Sequence, residues 1–369
     1  YISSYMIPWN KVNYYGHEQK YVNEAIKSTW LSHGKFVDAI EKKICKFTNS
    51  KFAISVSNGT TAIHLVYLAM GLKKGDEIII PGFGYLAAAN IALQMGLKPI
   101  FADVDLKTFC VTAEKIKLKI TSKTKLIVVI NTYGNICDLK PIMKIAKSKK
   151  ITVLEDSAES FGSKYNKKQS GSIADIGTFS FQATKTITSG EGGAIITKKN
   201  KFFTDKLRLF RNHGVKTKKY FHYFPGHNFR LTNLQAAIAC AQLEKISKIK
   251  SERTRVYKCY KKLLNNEKGL QLQFFPSYND PVVWAFAILL DPKFFLNRDV
   301  IIKKLNKKGI ETRNGFYSPC RLPMYKDFKT SHLKNSNYLS KNIISLPFFS
   351  SLKEKEIKHI VKTFLSLKK

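Results

Sequence analysis

Between Phe36 and Thr197, short apolar runs alternate with segments of helical periodicity, and this alternation constrains the fold more than any other feature of the chain. Phe36, Ile40, Ile44 and Phe47 recur at helical spacing, and Phe52 to Val56 reads as a strand. A helix from about Thr60 to Met70 closes at Gly71. A β-branched strand from Glu77 to Ile80 stops at Pro81, and a helix from Leu86 to Met95 ends at Gly96. Pro99 to Val104 and Leu126 to Ile130 are the next strands, the second apolar throughout, as a strand buried on both faces must be. Pro141 to Lys147 is helical, and strands follow at Ile151 to Leu154, Ile176 to Phe181 and Gly193 to Thr197. Strands separated by helices need crossover connections, so the expected class is α/β, with a mostly parallel sheet covered on both faces.

Beyond Leu234 the pattern changes. Gln235 to Lys262 reads as one long helix, broken by Asn265, Asn266 and Gly269. Strands near Trp284 to Leu290, a helix from Val300 to Lys307 and a last helix from Lys353 to Leu367 complete the chain. The expected division is a large domain over 1–244 and a smaller α+β domain over 245–369, and 369 residues suffice for two such cores.

Sixty-three lysines and arginines against 26 acids give a formal charge of +37, which raises nucleic-acid binding as a function class. Only eight of those cations are arginine, none before Arg208, whereas base-edge recognition favours the planar guanidinium fork. The charge therefore reads as a lysine bias on solvated faces, attractive to small anionic substrates and to polyanions only weakly. The longest apolar runs, Leu65 to Met70 and Val282 to Leu290, fall far short of the roughly 20 residues that span a bilayer. With no signal-peptide pattern at its start, the chain is expected in the cytoplasm. Six widely spaced cysteines and eight histidines form no metal-ligand spacing, so no metal is expected.

Ligands of open parallel sheets sit beyond the carboxyl ends of the strands, where three features fall. Ser57-Asn58-Gly59-Thr60-Thr61 is a strand-to-helix turn suited to a phosphate, and equally an ordinary helix cap. Glu155-Asp156-Ser-Ala-Glu159 follows an apolar strand; a carboxylate there needs a cation or donors, or serves as an N-cap. Lys185 lies between an apolar run and the Gly-rich turn Gly190 to Gly193, where desolvation lowers an amine towards nucleophilicity, although most lysines are simply solvated. An amine nucleophile, an acid for a pyridine nitrogen and a phosphate cradle are the protein's share of pyridoxal 5′-phosphate (PLP) chemistry.

Seven stretches occur in the order of one family: Val56 to Leu65, Gly75 to Pro81, Glu155 to Glu159, Phe179 to Lys185, Gly190 to Gly193, Arg211 to Gly214 and Asn228 to Arg230. Through them the chain resembles the fold-type I PLP-dependent nucleotide-sugar aminotransferases of the DegT/StrS group over nearly its whole length. The resemblance implies that Lys185 condenses with the PLP aldehyde and that Asp156 pairs with the pyridinium nitrogen. It further implies that Gly59, Thr60 and Ser180 hold the cofactor phosphate, and that Glu159 lies near the cofactor hydroxyl, where many relatives carry Gln or His. Tyr85 falls where the family stacks an aromatic ring on PLP, though it fits a core aromatic equally. Asn228 is implied to reach the phosphate site of a neighbouring subunit, which makes the active unit a homodimer.

Arg211, Arg230 and Arg313 occupy family motif positions in a chain that otherwise prefers lysine; Arg211 and Arg230 also fit structural ion pairs. Arg313 is the candidate for the substrate diphosphate or nucleotide, with Arg230 and His33 as further substrate-binding candidates. Ile130-Asn-Thr-Tyr133-Gly134 and Phe316 to Tyr325 lack histidines common in relatives, which bears on the sugar rather than on PLP. The implied reaction is a two-stage transamination from glutamate to the keto group of a nucleotide-linked 4-keto-6-deoxyhexose. Lys185 to Gly193 resembles the segment of C4 aminotransferases of the perosamine and viosamine type, which favours C4 over C3. Dehydratases of the same fold replace the lysine by histidine, so Lys185 favours transamination. A noncatalytic nucleic-acid-binding or regulatory protein would need neither Lys185 nor Asp156.

Overall fold

The computed structural model describes residues 6–218 and 220–369, so the first five residues of the expected large domain and Lys219 lie outside it. Its first half carries strands β1 Phe52–Val56, β2 Glu77–Pro81, β3 Lys98–Ala102, β4 Thr124–Ile130 and β5 Thr152–Asp156. A short pair, β6 Lys164–Tyr165 and β7 Lys168–Gln169, precedes β8 Ile176–Ser180 and β9 Gly193–Thr197. Seven of these form one sheet in the order β1-β9-β8-β5-β4-β2-β3, and only β9 runs against its neighbours. The mostly parallel α/β sheet expected from the alternation is therefore present.

The period-two side-chain alternation of a strand builds a core on each face. Ile79, Ile127, Val129 and Val153 enter one cluster, while Ile78, Ile80, Leu126, Val128 and Leu154 enter the other. The helices that cover these faces are α1 His17–Lys27, α2 Lys35–Thr48, α3 Gly59–Met70, α4 Ala87–Gln94, α5 Ala113–Lys117, α6 Leu139–Ser148 and α7 Lys201–Arg211. Gly71 closes α3 in the left-handed region (φ 67°), as its sequence position implied.

One sequence expectation is corrected. The single helix over 235–262 is two, α8 Asn233–Glu244 and α9 Ile246–Leu264, separated at Lys245 (φ −105°, ψ 12°). The helix α8 is buried nearly all round, by Ala236, Ala237, Cys240, Ala241 and Leu243, whereas α9 offers a stripe of Val256, Tyr260 and Leu264. A straight axis cannot serve both surroundings. After β10 Leu270–Leu272 and β11 Asn279–Asp280 come β12 Phe286–Leu290, β13 Arg313–Asn314 and β14 Ile343–Leu346. A second, antiparallel sheet has the order β10-β12-β14-β13 and packs with α9, α10 Arg298–Lys307 and α12 Glu354–Leu365, while α11 Lys334–Asn342 lies on β12. Ile7 joins this second layer, exchanging main-chain bonds with Gly309 and Glu311 at 2.8 and 3.0 Å. Among the described residues no helix is long and apolar enough to cross a membrane.

Candidate active site

The registers Ile130↔Asp156↔Thr178 and Ser180↔Gly193↔Val56 place the ends of β4, β5, β8 and β1 along one edge of the sheet. At the end of β1, Asn58 caps α3: its Oδ1 accepts the Thr61 N–H at 2.9 Å, and its own N–H donates to Thr61 Oγ1 at 3.2 Å. The first N–H groups of a helix have no carbonyl inside the helix to meet, so those of Gly59 and Thr60 remain for an anion. A Cβ on Gly59 would stand 3.0 Å from that of Ser180; glycine here lets the cap and the end of β8 meet around one space. The Ser57 N–H donates to Phe229 O at 2.9 Å, which ties the Asn228–Arg230 segment to the same cradle. Asn228 itself is exposed.

Glu155 and Asp156 are neighbours on β5 and therefore face opposite ways. Glu155 is fully enclosed and accepts from Asn131 Nδ2 at 2.9 Å and from the N–H groups of Gly171 (2.7 Å), Ile173 (3.2 Å) and Ala174 (3.3 Å). It is a structural acid. Asp156 receives the Ala158 N–H at 3.1 Å; burial pushes its carboxyl up to about 6, and the Lys185 charge opposes that rise.

The amine of Lys185 ends 3.9 Å from Glu159 Oε1, with its side chain only 13% exposed. Burial lowers its pKa, and Glu159 and Asp156 pull it back up. Burial likewise pushes Glu159 up to about 7, while Lys185 and the Tyr133 N–H hold it down. That N–H donates to Oε2 at 2.9 Å, and Oε1 has no hydrogen-bond partner. A buried carboxyl oxygen without a donor is costly unless something else comes to meet it.

An aromatic wall that sequence reasoning missed completes the site. The Trp284 ring centroid lies 3.8 Å from Lys185 Nζ, and its indole Nε1–H donates to Thr184 O at 2.8 Å. Tyr133 stacks on Trp284 (6.1 Å, 15°) and on Phe316 (5.2 Å, 14°), and Trp9 meets Trp284 edge-on at 5.7 Å. Trp284 stood inside an apolar run that reads simply as a strand; an indole N–H needing a partner was the only hint. Tyr85 extends the wall, 6.3 Å from Phe316, and at 63% exposure it is no core aromatic.

The remaining candidates divide. Arg313 pairs with Glu311 at 2.6 Å and lies 5.9 Å from the Trp9 ring. Arg211 is a structural ion-pair partner: its Nη1 donates to Glu41 Oε1 and to Ser55 O, both at 2.8 Å. Arg230 holds Asn212 Oδ1. His33 is exposed in the turn before α2, a segment tied to Asn233 through Trp30 O (2.8 Å) and Leu31 O (2.9 Å).

The unpartnered Glu159 oxygen beside the amine, the cradle that a Gly59 Cβ would crowd and the buried Asp156 fit PLP, the amine taking its aldehyde and the cradle its phosphate. Such a site defines a lysine-based, PLP-dependent transferase. The sequence profile of the DegT/DnrJ/EryC1/StrS aminotransferase family matches residues 14–365, and the chain belongs to that family. It is 36% identical over 361 residues to the GDP-perosamine synthase of Vibrio cholerae, covering 96% of this chain and 97% of that one. With the GDP-perosamine synthase of Escherichia coli O157:H7 it shares 37% over 356 residues, 96% of either chain. Among solved structures, Helicobacter pylori PseC, an aminotransferase involved in the biosynthesis of pseudoaminic acid, superposes with a TM-score of 0.90 at 27% identity, covering 99% of this chain and 98% of that one.

Proposed function

We propose that this aminotransferase moves an amino group from glutamate to the C4 keto group of a GDP-linked 4-keto-6-deoxyhexose, as a cytoplasmic homodimer in which each chain divides into a large domain over 1–244 and a smaller one over 245–369. The placement of Lys185 Nζ between Glu159 Oε1 and the Trp284 ring, on the sheet edge that carries Asp156 and the Gly59 cradle, carries the reading. Identity of 36–37% over almost the whole chain to two GDP-perosamine synthases supports the nucleotide and the position.

When bound, the cofactor supplies a reactive aldehyde and a ring that withdraws electrons. Gly59 and Thr60 N–H groups and Ser180 bind its phosphate. Asp156 holds a proton at the pyridine nitrogen. Lys185 Nζ, its pKa lowered by burial, takes a proton from the α-carbon of the donor and delivers one to C4 of the sugar. Trp284, backed by Tyr133 and Phe316, covers one side of that amine. Arg313 and Arg230 meet the diphosphate, His33 the sugar, and the exposed Asn228 a second subunit's phosphate site.

The test takes two samples of the PLP-loaded protein: one is reduced with borohydride, and the other, left unreduced, is incubated with glutamate and a panel of keto-sugar nucleotides. A stable adduct on Lys185 and a new amine at C4 are expected. An undiminished adduct in Lys185→Ala, or an amine at C3, overturns the assignment.

A further inference from the structure

The segment that carries Trp284 is anchored from four sides. Gly134, at φ 101°, lets it pass: a Cβ there would lie 2.8 Å from Val283 Cα and 3.0 Å from Trp284 N. The Trp284 N–H donates to Tyr133 O at 3.1 Å, and its carbonyl accepts from Arg253 Nη2 at 2.7 Å. Arg253 is buried (4% exposed), also donates to Val283 O at 3.0 Å, and burial lowers it to about 10. The indole N–H then fixes the carbonyl of Thr184, the residue immediately before the amine-bearing lysine. Ring face and N–H thus act on Lys185 at both ends, through its ammonium and through its main chain.

We propose that Trp284 is the positioning residue of Lys185: its ring face receives the ε-amine when it is released from the cofactor, binds it as the ammonium once it carries a proton, and returns it to the same place in each half-reaction. This rests on Lys185 being the amine that takes up PLP. A desolvated ammonium over an indole face is favoured by roughly tenfold or more in equilibrium. Other charged groups also act on the amine: Glu159 and Asp156, from the end of β5 and the turn after it, while Tyr133 stands behind the ring. Lys11 and Arg253 line, with Lys185, a small cavity of about 20 Å³, room for one water. Glu159 and Asp156 attract the ammonium, and burial disfavours it, so the ring's share must be read by changing the ring alone.

The experiment measures the protonation midpoint of Lys185 in the full-length, cofactor-free protein, from the pH dependence of its reductive methylation by ¹³C-formaldehyde. Trp284→Leu should lower the midpoint by about one pH unit, and Trp284→Phe should restore most of it. Fluorinated tryptophans placed at position 284 keep the shape while weakening the ring face, so the midpoint should fall stepwise with fluorine number even if the leucine protein does not fold. In the PLP-loaded protein, kcat should drop about tenfold in Trp284→Leu with KM for the sugar nucleotide unchanged. A midpoint that ignores the fluorine series overturns the proposal. Failure of the wild type to form the borohydride adduct at Lys185 would instead overturn the proposed function, and the methylation midpoint would still read the ring.

Discussion

The main-chain N–H of Tyr133 donates to Glu159 Oε2 at 2.9 Å, which turns the other oxygen of that carboxyl towards the amine of Lys185. Tyr133 reaches this position in the left-handed region (φ 58°), in the turn after β4, and its ring also backs Trp284. One residue thus sets both the acid and the aromatic neighbour of the lysine.

Glu159→Gln separates charge from shape. Burial raises the folded pKa of Glu159 to about 7, above its unfolded value, so its stabilising share is complete below about pH 4.5 and is lost as pH rises through 7. In the cofactor-free protein the glutamine variant should match wild type at pH 4 and exceed it at pH 8 by on the order of 1–3 kcal/mol. Thermal melts of both proteins across that range check it; equal stability at pH 8 rejects the assignment.

Asp156→Asn keeps the volume and the acceptor for the Ala158 N–H but cannot hold a proton at a pyridine nitrogen. Cofactor should still be retained on gel filtration, while kcat falls about 10²- to 10⁴-fold. Loss of cofactor with kcat intact in the residual loaded fraction would move Asp156 from chemistry to binding.

Gly59→Ala pushes a methyl to within 3.0 Å of Ser180 Cβ. The affinity for PLP should fall about tenfold or more, equivalent to about 1.4 kcal/mol, with little change in the melting temperature of the cofactor-free protein. Equilibrium titration by absorbance measures it.

Glu41→Ala tests the structural reading of Arg211. Burial alone would raise the Glu41 pKa, but Arg211 and Arg208 at 2.8 Å more than reverse this and hold it low. Its contribution is therefore present above the ordinary carboxylate range and fades as pH falls. Removing it leaves the buried Arg211 unpaired and should destabilise the fold by about 3 kcal/mol at pH 7, with Lys185 still labelled by PLP in the folded fraction. A melt unchanged at pH 7 would show the pair to be dispensable.

Strands β1 and β9 have the bounds their residues imply, and β4 is buried from Leu126 to Ile130, because an apolar run bounded by breakers has few alternatives inside a covered sheet. The break at Lys245 left no such mark. Helical periodicity runs through it, and the turn arises from what α8 and α9 each pack against. The two acids of β5 were visible as a pair; that Glu155 faces Asn131 and Gly171 while Asp156 faces the lysine side is a matter of which face of β5 meets which neighbour.

The order of motifs along the chain settled the class, because a strand-end turn, an acid and a lysine with their flanking glycines encode local geometry that few folds use. Where Trp284 would stand over the Lys185 amine was decided only when the segment before β12 folded against the first sheet. Aromatic rings and carboxylates carry no sequence mark of their neighbours; the proximity of Lys185 and Trp284, 99 residues apart, is set by packing, and packing is a property of the whole chain.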